Sequence, residues 1–316
     1  MAHILVIGEL LAEFMAERIG QTFREPGTFL GPYPSGAPAI FADQAAKTGA
    51  NAVLVGCLGE DGFGDLILDR LRNDGVDVTS ISRTKALPTG TAFVTYREDG
   101  SREFIYNIGN SAAALVDANA IDQAVIQNCG YLHVMGSSLG NERSIAAVKN
   151  VLSLVKECGG KVTFDPNIRP EMLSSPVLKE ALDFILAKSD ILLPSEADLR
   201  HFCGPVAESE AVSTLLGAHP LECIVVKNAA KGSVYYDRTR SLHVPAFVVD
   251  EVDPTGAGDC YGGTLVSCLA QNFELEKALT LANAAGALAV TQRGPMEGNS
   301  TLTQLKRFAE TSPRRT

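Results

Sequence analysis

The sequence contains no tryptophan, and aromatic residues make up only 6% of its 316 positions. No stretch approaches the roughly 18 uninterrupted apolar residues that cross a membrane, and the Ala-rich segment 281–290 is interrupted by Asn283 and Gly286. The first residues lack the basic segment and the long apolar core of a secretory signal peptide. We therefore expect no membrane partner.

Cysteine and histidine are also sparse. The seven cysteines form no C-x-x-C pair and the five histidines no H-x₃₋₅-H pair, so a zinc site is not indicated. Free thiols in a chain long enough to bury its own core favour a cytoplasmic location. The net charge of −10 argues against a nucleic-acid partner. It is compatible with a small phosphate-bearing ligand, which a few backbone amides and one or two cations can hold.

Apolar, β-branched runs alternate with helical patterns along nearly the whole chain. This alternation predicts an α/β fold, with a central, mainly parallel sheet covered by helices on both faces. Because ligands bind beyond the carboxyl ends of such strands, we expect the site at the strand-to-helix turns. The predicted strands are 4–8, 53–57, 131–135, 162–164, 191–193 and 224–227. The predicted helices are 38–48, 64–74, 142–158, 176–188, 208–218, 257–272 and 275–293.

One region departs from the alternation. Residues 92–97 and 102–108 have strand patterns, and the Asp99-Gly100 pair between them is typical of a tight hairpin turn. An inserted hairpin is too small to have its own core, so we expect it to cover a site as a lid or to contact a second subunit. The last residues, 312–316, are expected to be frayed.

The strongest chemical signal is D-P-T-G-A-G-D at residues 253–259. Its small residues leave backbone N–H groups uncovered at a helix start, which favours bound anions and the charge that develops in phosphoryl transfer. Asp259 could then accept the proton of an attacking hydroxyl. The alternative is an ordinary glycine-rich turn with Asp259 as a first-turn helix carboxylate. The full string, residues 253–260, favours the catalytic interpretation.

This string resembles the D-T-x-G-A-G-D signature of the ribokinase-like carbohydrate kinases, the PfkB family. The segment Ser35-Gly36-Ala37-Pro38-Ala39 is similar to the family's G-G-x-x-x-N segment, although Ile40 stands where the family often has asparagine. The resemblance implies a ribokinase-like three-layer sandwich, with one kinase domain over residues 1–316. It also implies a β-lid formed by segments near 10–35 and 88–110, and the use of ATP, Mg²⁺ and, in some members, K⁺.

The resemblance carries over to particular residues on the sugar side. The catalytic residues that it implies are Asp259 as the base and an anion hole made of Gly256, Ala257 and Gly258. The substrate-binding residues that it implies are Glu13, Gly36, Ala37, Arg102, Tyr106 and Arg169. Arg169 ends the run Asp165-Pro166-Asn167-Ile168-Arg169, which resembles D-x-N-x-R in fructokinase-like and ketodeoxygluconate kinase-like members. The alternatives are a buried structural acid for Glu13 and a surface loop residue for Arg169.

The nucleotide-binding residues that the resemblance implies are Asn167, Ser195, Lys227, Gly232 and Asn283. Ser195 and Asp198 occupy the family's N-x-x-E position, where the short Asp198 side chain favours contact with Mg²⁺ through water. The segment from Lys227 to Gly232 resembles the turn beside the adenine. Asn283 matches the adenine-side helix, unless it simply faces solvent. Asp253 and Thr255 match positions that help to hold a monovalent cation in some members.

Two other classes of function are compatible with parts of the sequence. A serine hydrolase is suggested by Gly136-Ser137-Ser138-Leu139-Gly140, which fits G-x-S-x-G after a strand, but a catalytic histidine would have to come from His201, His219 or His243. A sugar-sensing kinase homologue without turnover is disfavoured because Asp259 and the small residues before it are present.

The sequence therefore predicts an ATP-dependent kinase acting on a primary hydroxyl of a small sugar. A neutral ketohexose, fructose or tagatose, is favoured, because Tyr106-Asn107-Ile108 lacks the lid arginine that ketodeoxygluconate kinase-like members use for a carboxylate. 2-Keto-3-deoxygluconate remains the alternative, with Arg102 or Arg169 as the substitute cation. The edge of the lid favours a homodimer.

Overall fold

The computed structural model describes residues 3–118, 121–168 and 176–315. The strands within these residues are β1 (His3–Ile7), β2 (Leu11–Ala16), β3 (Phe29–Ser35), β4 (Asn51–Gly59), β5 (Ile81–Thr84), β6 (Gly90–Tyr96), β7 (Arg102–Asn107), β8 (Cys129–Met135), β9 (Lys161–Asp165), β10 (Ile191–Leu192), β11 (Cys223–Lys227), β12 (Ser233–Tyr236) and β13 (Ser241–Val244). The helices are α1 (Ala37–Lys47), α2 (Gly62–Asn73), α3 (Gln123–Gln127), α4 (Glu142–Glu157), α5 (Pro176–Leu186), α6 (Glu196–Cys203), α7 (Glu208–Ala218), α8 (Ala257–Ala270), α9 (Leu275–Ala289) and α10 (Leu302–Thr311).

The large sheet has nine strands in the order β13-β12-β11-β10-β9-β8-β1-β4-β5. From β11 to β5 all neighbours are parallel, whereas β12 and β13 form an antiparallel hairpin at one edge. Parallel strands bring their carboxyl ends to the same edge. Asp165 at the end of β9 and Lys227 at the end of β11 therefore lie near each other although 62 positions separate them.

Helices cover both faces of this sheet. Along β1, Ile4 and Val6 pack into one apolar cluster with α1, α8 and α9, whereas Leu5 and Ile7 pack into a second cluster with α4, α5 and α7. A strand buried on both faces needs an unbroken apolar run, which is what the opening of the sequence contains. The predicted α/β fold with a mainly parallel sheet is therefore confirmed. No helix in the described parts of the chain is long and apolar enough to cross a bilayer.

The small sheet has the order β3-β2-β6-β7. Strands β6 and β7 form the antiparallel hairpin predicted at Asp99-Gly100, and β2 runs parallel to β6. Phe14 of β2 stacks on Phe93 of β6 with the ring centroids 5.0 Å apart, and its edge meets Phe63 of α2 at 5.5 Å. These aromatic contacts fix the small sheet to the body of the molecule.

The structure corrects one expectation and adds elements that the patterns did not indicate. The prediction of a frayed end is wrong for residues 312–315, because the N–H of Val248 donates to Pro313 O (2.9 Å) and that of Arg315 to Ala246 O (2.8 Å). The hairpin of β12 and β13 was not predicted. Its strands have four residues each and are only partly buried, so they carry little apolar periodicity.

Candidate active site

A cavity of about 620 Å³ lies between the small sheet and the carboxyl ends of the large sheet. It receives residues from β2, from the start of α1, from β7, from the ends of β9 and β11, and from the start of α8. Its walls bring together the following predicted site residues: Glu13, Gly36, Ala37, Arg102, Tyr106, Asn167, Lys227, Thr255, Gly256, Ala257, Gly258 and Asp259. Most residues that the sequence singled out for chemistry therefore share one cavity.

The floor of the cavity is the N-terminus of α8. Gly256 caps this helix at a φ of 79°, where a Cβ would approach Pro295 O to 2.6 Å, so only glycine fits. The first N–H groups of a helix have no partner within the helix and attract negative charge. Asp259 lies in this first turn and lines the cavity. The arrangement could hold a phosphoryl group beside a carboxylate that takes up a proton.

The loop before α8 is fixed by Asp253, which is 1% exposed. Its Oδ1 accepts hydrogen bonds from the Thr255 N–H (3.1 Å) and hydroxyl (2.8 Å), and its Oδ2 accepts one from the Gly294 N–H (3.1 Å). These bonds shape the loop and use most of the acceptor capacity of the carboxylate. A monovalent cation at Asp253 and Thr255 stays a prediction, and the contacts seen favour a structural role for both side chains.

The small sheet reaches this loop through two side chains. Arg102 of β7 donates from Nη1 to Thr255 Oγ1 (3.1 Å), and the Tyr96 hydroxyl of β6 donates to Asp253 Oδ1 (3.3 Å). Burial, reinforced by the negative charge of Asp253, holds the pKa of Tyr96 above its ordinary value, so this hydroxyl keeps its proton. Tyr106 lines the same wall and stacks on Phe104 with the centroids 5.2 Å apart.

The opposite wall is built around the start of α1. Gly36 caps the helix at a φ of 109°, and a Cβ there would approach Glu9 O to 2.4 Å. Only glycine therefore fits this turn between β3 and α1. Glu13 is 4% exposed and accepts a hydrogen bond from the Ser35 hydroxyl. Ile40 lines the cavity where the family often has asparagine, so any polar contact at this position comes from a neighbour.

Lys227 and Asp165 form a buried ion pair in the cavity wall. The Lys227 side chain is 15% exposed and that of Asp165 only 2%. Burial acts most strongly and lowers the pKa of Lys227, but the negative charge of Asp165, with help from Asp198 and Asp259, raises it above its ordinary value. The Lys227 side chain is therefore protonated and carries a positive charge. Asn167, at a φ of 39°, lines the cavity next to this pair.

Ser195 and Asp198 form a capping box at the start of α6. Asp198 Oδ2 accepts from the N–H (2.8 Å) and hydroxyl (2.6 Å) of Ser195, and Oδ1 accepts from the Ile168 N–H (3.0 Å). These three bonds leave Asp198 little capacity for a direct metal contact, and contact through water stays the predicted mode. Among the described residues no group of three or more His, Cys, Asp or Glu side chains could hold a metal.

Gly232 and Asn283 lie outside the cavity wall and meet at the end of β13. Asn283 is 7% exposed and donates from Nδ2 to Val244 O (2.9 Å), so the solvent-facing alternative for this residue is wrong. A Cβ on Gly232 would approach the same oxygen to 2.2 Å. Asn283 therefore binds the end of β13, where Gly232 leaves the room that a side chain would fill, and their roles toward a nucleotide stay predictions. Arg169 lies outside the described residues.

The hydrolase interpretation finds no support at the G-x-S-x-G segment. The Ser137 and Ser138 hydroxyls both donate to the buried Glu9 carboxylate, at 3.2 and 2.6 Å. His243 bonds to the backbone oxygen of Lys231 (3.0 Å) on the β12–β13 side of the sheet. A serine nucleophile would need a histidine as its partner rather than a buried carboxylate shared by two hydroxyls.

Three residues that matter for the geometry were not singled out as site residues. Tyr96 and Ser35 act through long-range contacts with Asp253 and Glu13, which no local pattern indicates. Asp165 belongs to the D-x-N-x-R run, but nothing in the run names Lys227 as its partner. A buried strand that ends in a carboxylate was the one available signal, because such a charge needs a cation nearby.

Comparison with known proteins gives the family. A family model described as "pfkB family carbohydrate kinase" matches residues 1–302. The chain therefore belongs to the PfkB family of carbohydrate kinases, and it is an ATP-dependent sugar kinase. It is 31% identical to Fructokinase-1 of Oryza sativa subsp. japonica over 319 residues, which cover 98% of each protein.

Solved structures agree with this membership. An E. coli protein described as a "putative Ribokinase II in complex with ATP and Mg+2" is 44% identical, with a TM-score of 0.93 over 98% of this chain and 99% of that one. A double mutant of the fructokinase from Vibrio cholerae O395, solved with fructose, ADP and a potassium ion, is 27% identical. Its TM-score is 0.86 over 98% of each chain.

Proposed function

We propose that this protein phosphorylates a primary hydroxyl of a neutral ketohexose, fructose or tagatose, with ATP as the donor. The observation that carries the proposal is the single cavity in which Glu13 and Gly36 face the start of α8 and Asp259. Relatives named fructokinase, which match 92% to 98% of the chain, support the same substrate class. The second candidate substrate is 2-keto-3-deoxygluconate, because the Arg102 guanidinium lines the cavity and could meet a carboxylate.

In the proposed reaction, the oxygen of the sugar hydroxyl forms a bond to the γ-phosphorus of ATP. The bond from that phosphorus to the β–γ bridging oxygen breaks, and its electron pair leaves with ADP. The hydroxyl proton passes to the Asp259 carboxylate. The N–H groups at Gly256, Ala257 and Gly258 stabilise the charge on the phosphoryl oxygens, because they are fixed in position before that charge develops.

The small sheet acts as the lid in this proposal, within one kinase domain. Arg102 and Tyr96 already connect it to the loop that shapes the start of α8, so a sugar held under the sheet lies close to Asp259. Exclusion of water above the sugar would limit the hydrolysis of ATP.

The proposal includes ions, assembly and location. Mg²⁺ bound to the ATP phosphates would neutralise part of their charge, with Asp198 reaching it only through water. K⁺ is left as a prediction for the loop at residues 253–255. The free edge of the small sheet supports a homodimer, and the free thiols of the described residues support a cytoplasmic location.

The test is an ADP-release assay with ATP and Mg²⁺ on fructose, tagatose, ribose, 2-keto-3-deoxygluconate and adenosine. We expect turnover with one ketohexose, and we expect Asp259→Asn to lower kcat at least about a hundredfold while ATP affinity changes little. Asp250→Asn is the matched control, because Asp250 lies in the same connection before α8 but does not line the cavity.

The outcomes separate the candidates. Preference for 2-keto-3-deoxygluconate would overturn the neutral substrate and point to Arg102 as the group that binds the carboxylate. ATP binding without turnover on any sugar would favour a sensor. Turnover that survives in the Asp259→Asn variant would refute the assignment of the base.

A further inference from the structure

Lys227 occupies a position that the anion-hole interpretation leaves unexplained. It is the last residue of β11, and its side chain reaches the start of α8. A Cβ built on Gly258 would lie 3.5 Å from Lys227 Nζ, which is ordinary van der Waals contact. The ammonium therefore lies directly beside the backbone proposed to hold the phosphoryl group, rather than at the β12 turn that the adenine assignment indicates.

The ammonium is held there by Asp165. The two side chains come from neighbouring parts of the sheet edge, β9 and β11, and the short strand β10 lies between them. Breaking such a pair would leave an uncompensated buried charge, so the position of the ammonium is strongly fixed. A cation fixed in advance is what electrostatic stabilisation of a developing charge requires.

The ammonium also has donors to spare. A lysine ammonium carries three N–H bonds, and among the described residues its one hydrogen-bond acceptor is the Asp165 carboxylate. Among the described residues, Asp198 and Asp259 also act on it electrostatically, and both are negative. The remaining N–H groups thus lie at a cavity wall where an anionic ligand would add the missing acceptors.

The charge of the transferred group calls for such a cation. Phosphoryl transfer spreads negative charge over three oxygens, and Asp198, the predicted metal-side acid, has both oxygens engaged in the capping box and the Ile168 contact. We propose that Lys227 is a catalytic residue that binds the γ-phosphoryl oxygens of ATP, with Asp165 as the positioning residue that holds its ammonium. This inference rests on the proposed kinase reaction.

The test measures nucleotide binding without sugar. Isothermal titration calorimetry would compare a non-hydrolysable ATP analogue with ADP, because only the analogue carries the γ-phosphoryl group. We expect Lys227→Met to lower the affinity for the analogue at least about tenfold, because a hydrogen bond to a charged group contributes about that much to binding. The affinity for ADP should fall less than about threefold. Lys227→Arg should restore part of the lost affinity for the analogue, because arginine keeps the positive charge.

Turnover gives a second measurement. We expect Lys227→Met to lower kcat about a hundredfold, the typical loss when one stabilising donor is removed, while the KM for the sugar stays within about threefold. Asp165→Asn should also lower kcat and the preference for the ATP analogue over ADP, as Lys227→Met does, and it should leave the affinity for ADP unchanged. Lys188→Met is the matched control, because Lys188 is an exposed lysine in the connection before β10 and does not line this cavity.

Folding has to be kept separate from binding. Lys227→Met leaves Asp165 buried without its cation. We therefore also measure the double variant Lys227→Met with Asp165→Asn, which removes both charges. Circular dichroism checks the fold of each variant. Equal weakening of ADP and the analogue would overturn the inference and place Lys227 on the other phosphates or the adenosine. Unchanged affinity for both would overturn it as well. Inactivity of the wild type on every sugar would count against the proposed function and leave the nucleotide comparison valid.

Discussion

The buried acid Asp43 on α1 allows a quantitative prediction about stability. Its side chain is fully buried, Asn299 Nδ2 donates to its Oδ2 (2.6 Å), and the Asp74 carboxylate at the end of α2 lies beside it. Burial, and then the negative charge of Asp74, raise the pKa of Asp43 from 3.8 to about 7, and Arg70 opposes this only in part. In the folded protein, Asp43 is therefore protonated at pH values where the unfolded chain has released that proton.

The sign follows from proton linkage. Between pH 3.8 and about 7 the folded state binds one more proton than the unfolded state, so the free energy of unfolding falls as the pH rises. Each pH unit corresponds to about 1.4 kcal/mol. From pH 5.5 to pH 8, with a folded pKa of about 7, the wild type should lose on the order of 2 kcal/mol through this group. Asp74 has a lowered pKa, so its own contribution is lost only in more acidic solution.

Asp43→Asn should abolish this loss. The asparagine amide can donate toward Asp74 as the protonated acid does, and its oxygen can still accept from Asn299. Urea unfolding at pH 5.5, 6.5, 7.5 and 8 should give variant and wild-type free energies that diverge in favour of the variant as the pH rises. Asp69→Asn, an exposed acid on α2, is the control. Parallel curves for the wild type and Asp43→Asn would refute a protonated Asp43.

Two further variants test the geometry of the site. Gly256→Ala should lower the free energy of unfolding by about 2 kcal/mol and strongly reduce turnover, because its Cβ would lie 2.6 Å from Pro295 O at a positive φ. Urea titration measures the first effect and the ADP-release assay the second, with Gly62→Ala as the control. A Gly256→Ala protein with unchanged stability and turnover would contradict the packing argument. Arg102→Leu should raise the KM for the sugar about two- to tenfold, because the hydrogen bond to Thr255 is lost. Arg97→Leu, on the exposed part of the same hairpin, should leave this KM unchanged. Equal KM values for the two variants in steady-state assays would disprove a specific role for Arg102.

Much of the fold could be predicted because its signals are local. The buried parallel strands are continuous apolar runs, the hairpin turn carries Asp99-Gly100, and the start of α8 lies inside a recognisable string. Other features depend on contacts across the chain. Asp165 and Lys227 meet because two parallel strands end at one sheet edge, and neither strand indicates its neighbour in the sheet. The pairing therefore had to be seen in the structure.

The segment at Ser195 shows how one short pattern supports two interpretations. A serine followed three positions later by an acid fits both a nucleotide-side motif and a helix capping box. In the structure the capping box is present, with the Ser195 N–H 2.8 Å from Asp198 Oδ2. The two bonds from Ser195 engage Asp198 Oδ2, and the spacing indicates them, whereas the Ile168 N–H on Oδ1 comes from a distant part of the chain. When two polar residues three positions apart can hydrogen-bond to each other at a helix start, a capping role should be considered before a role in ligand binding.

A lysine at the phosphate side of the site needs a carboxylate partner for a physical reason. The negative charge of the phosphates favours positive groups beside it, and a buried lysine costs too much unless a carboxylate compensates it. Asp165 is that carboxylate, and the Lys227 ammonium that it fixes lies beside Gly258. The two acids therefore have different partners: Asp198 is bound to Ser195 and Ile168, and Asp165 to Lys227. Loss of either acid should therefore have different consequences: Asp198→Ala should mainly loosen the start of α6, whereas Asp165→Asn should act on the affinity for the γ-phosphoryl group.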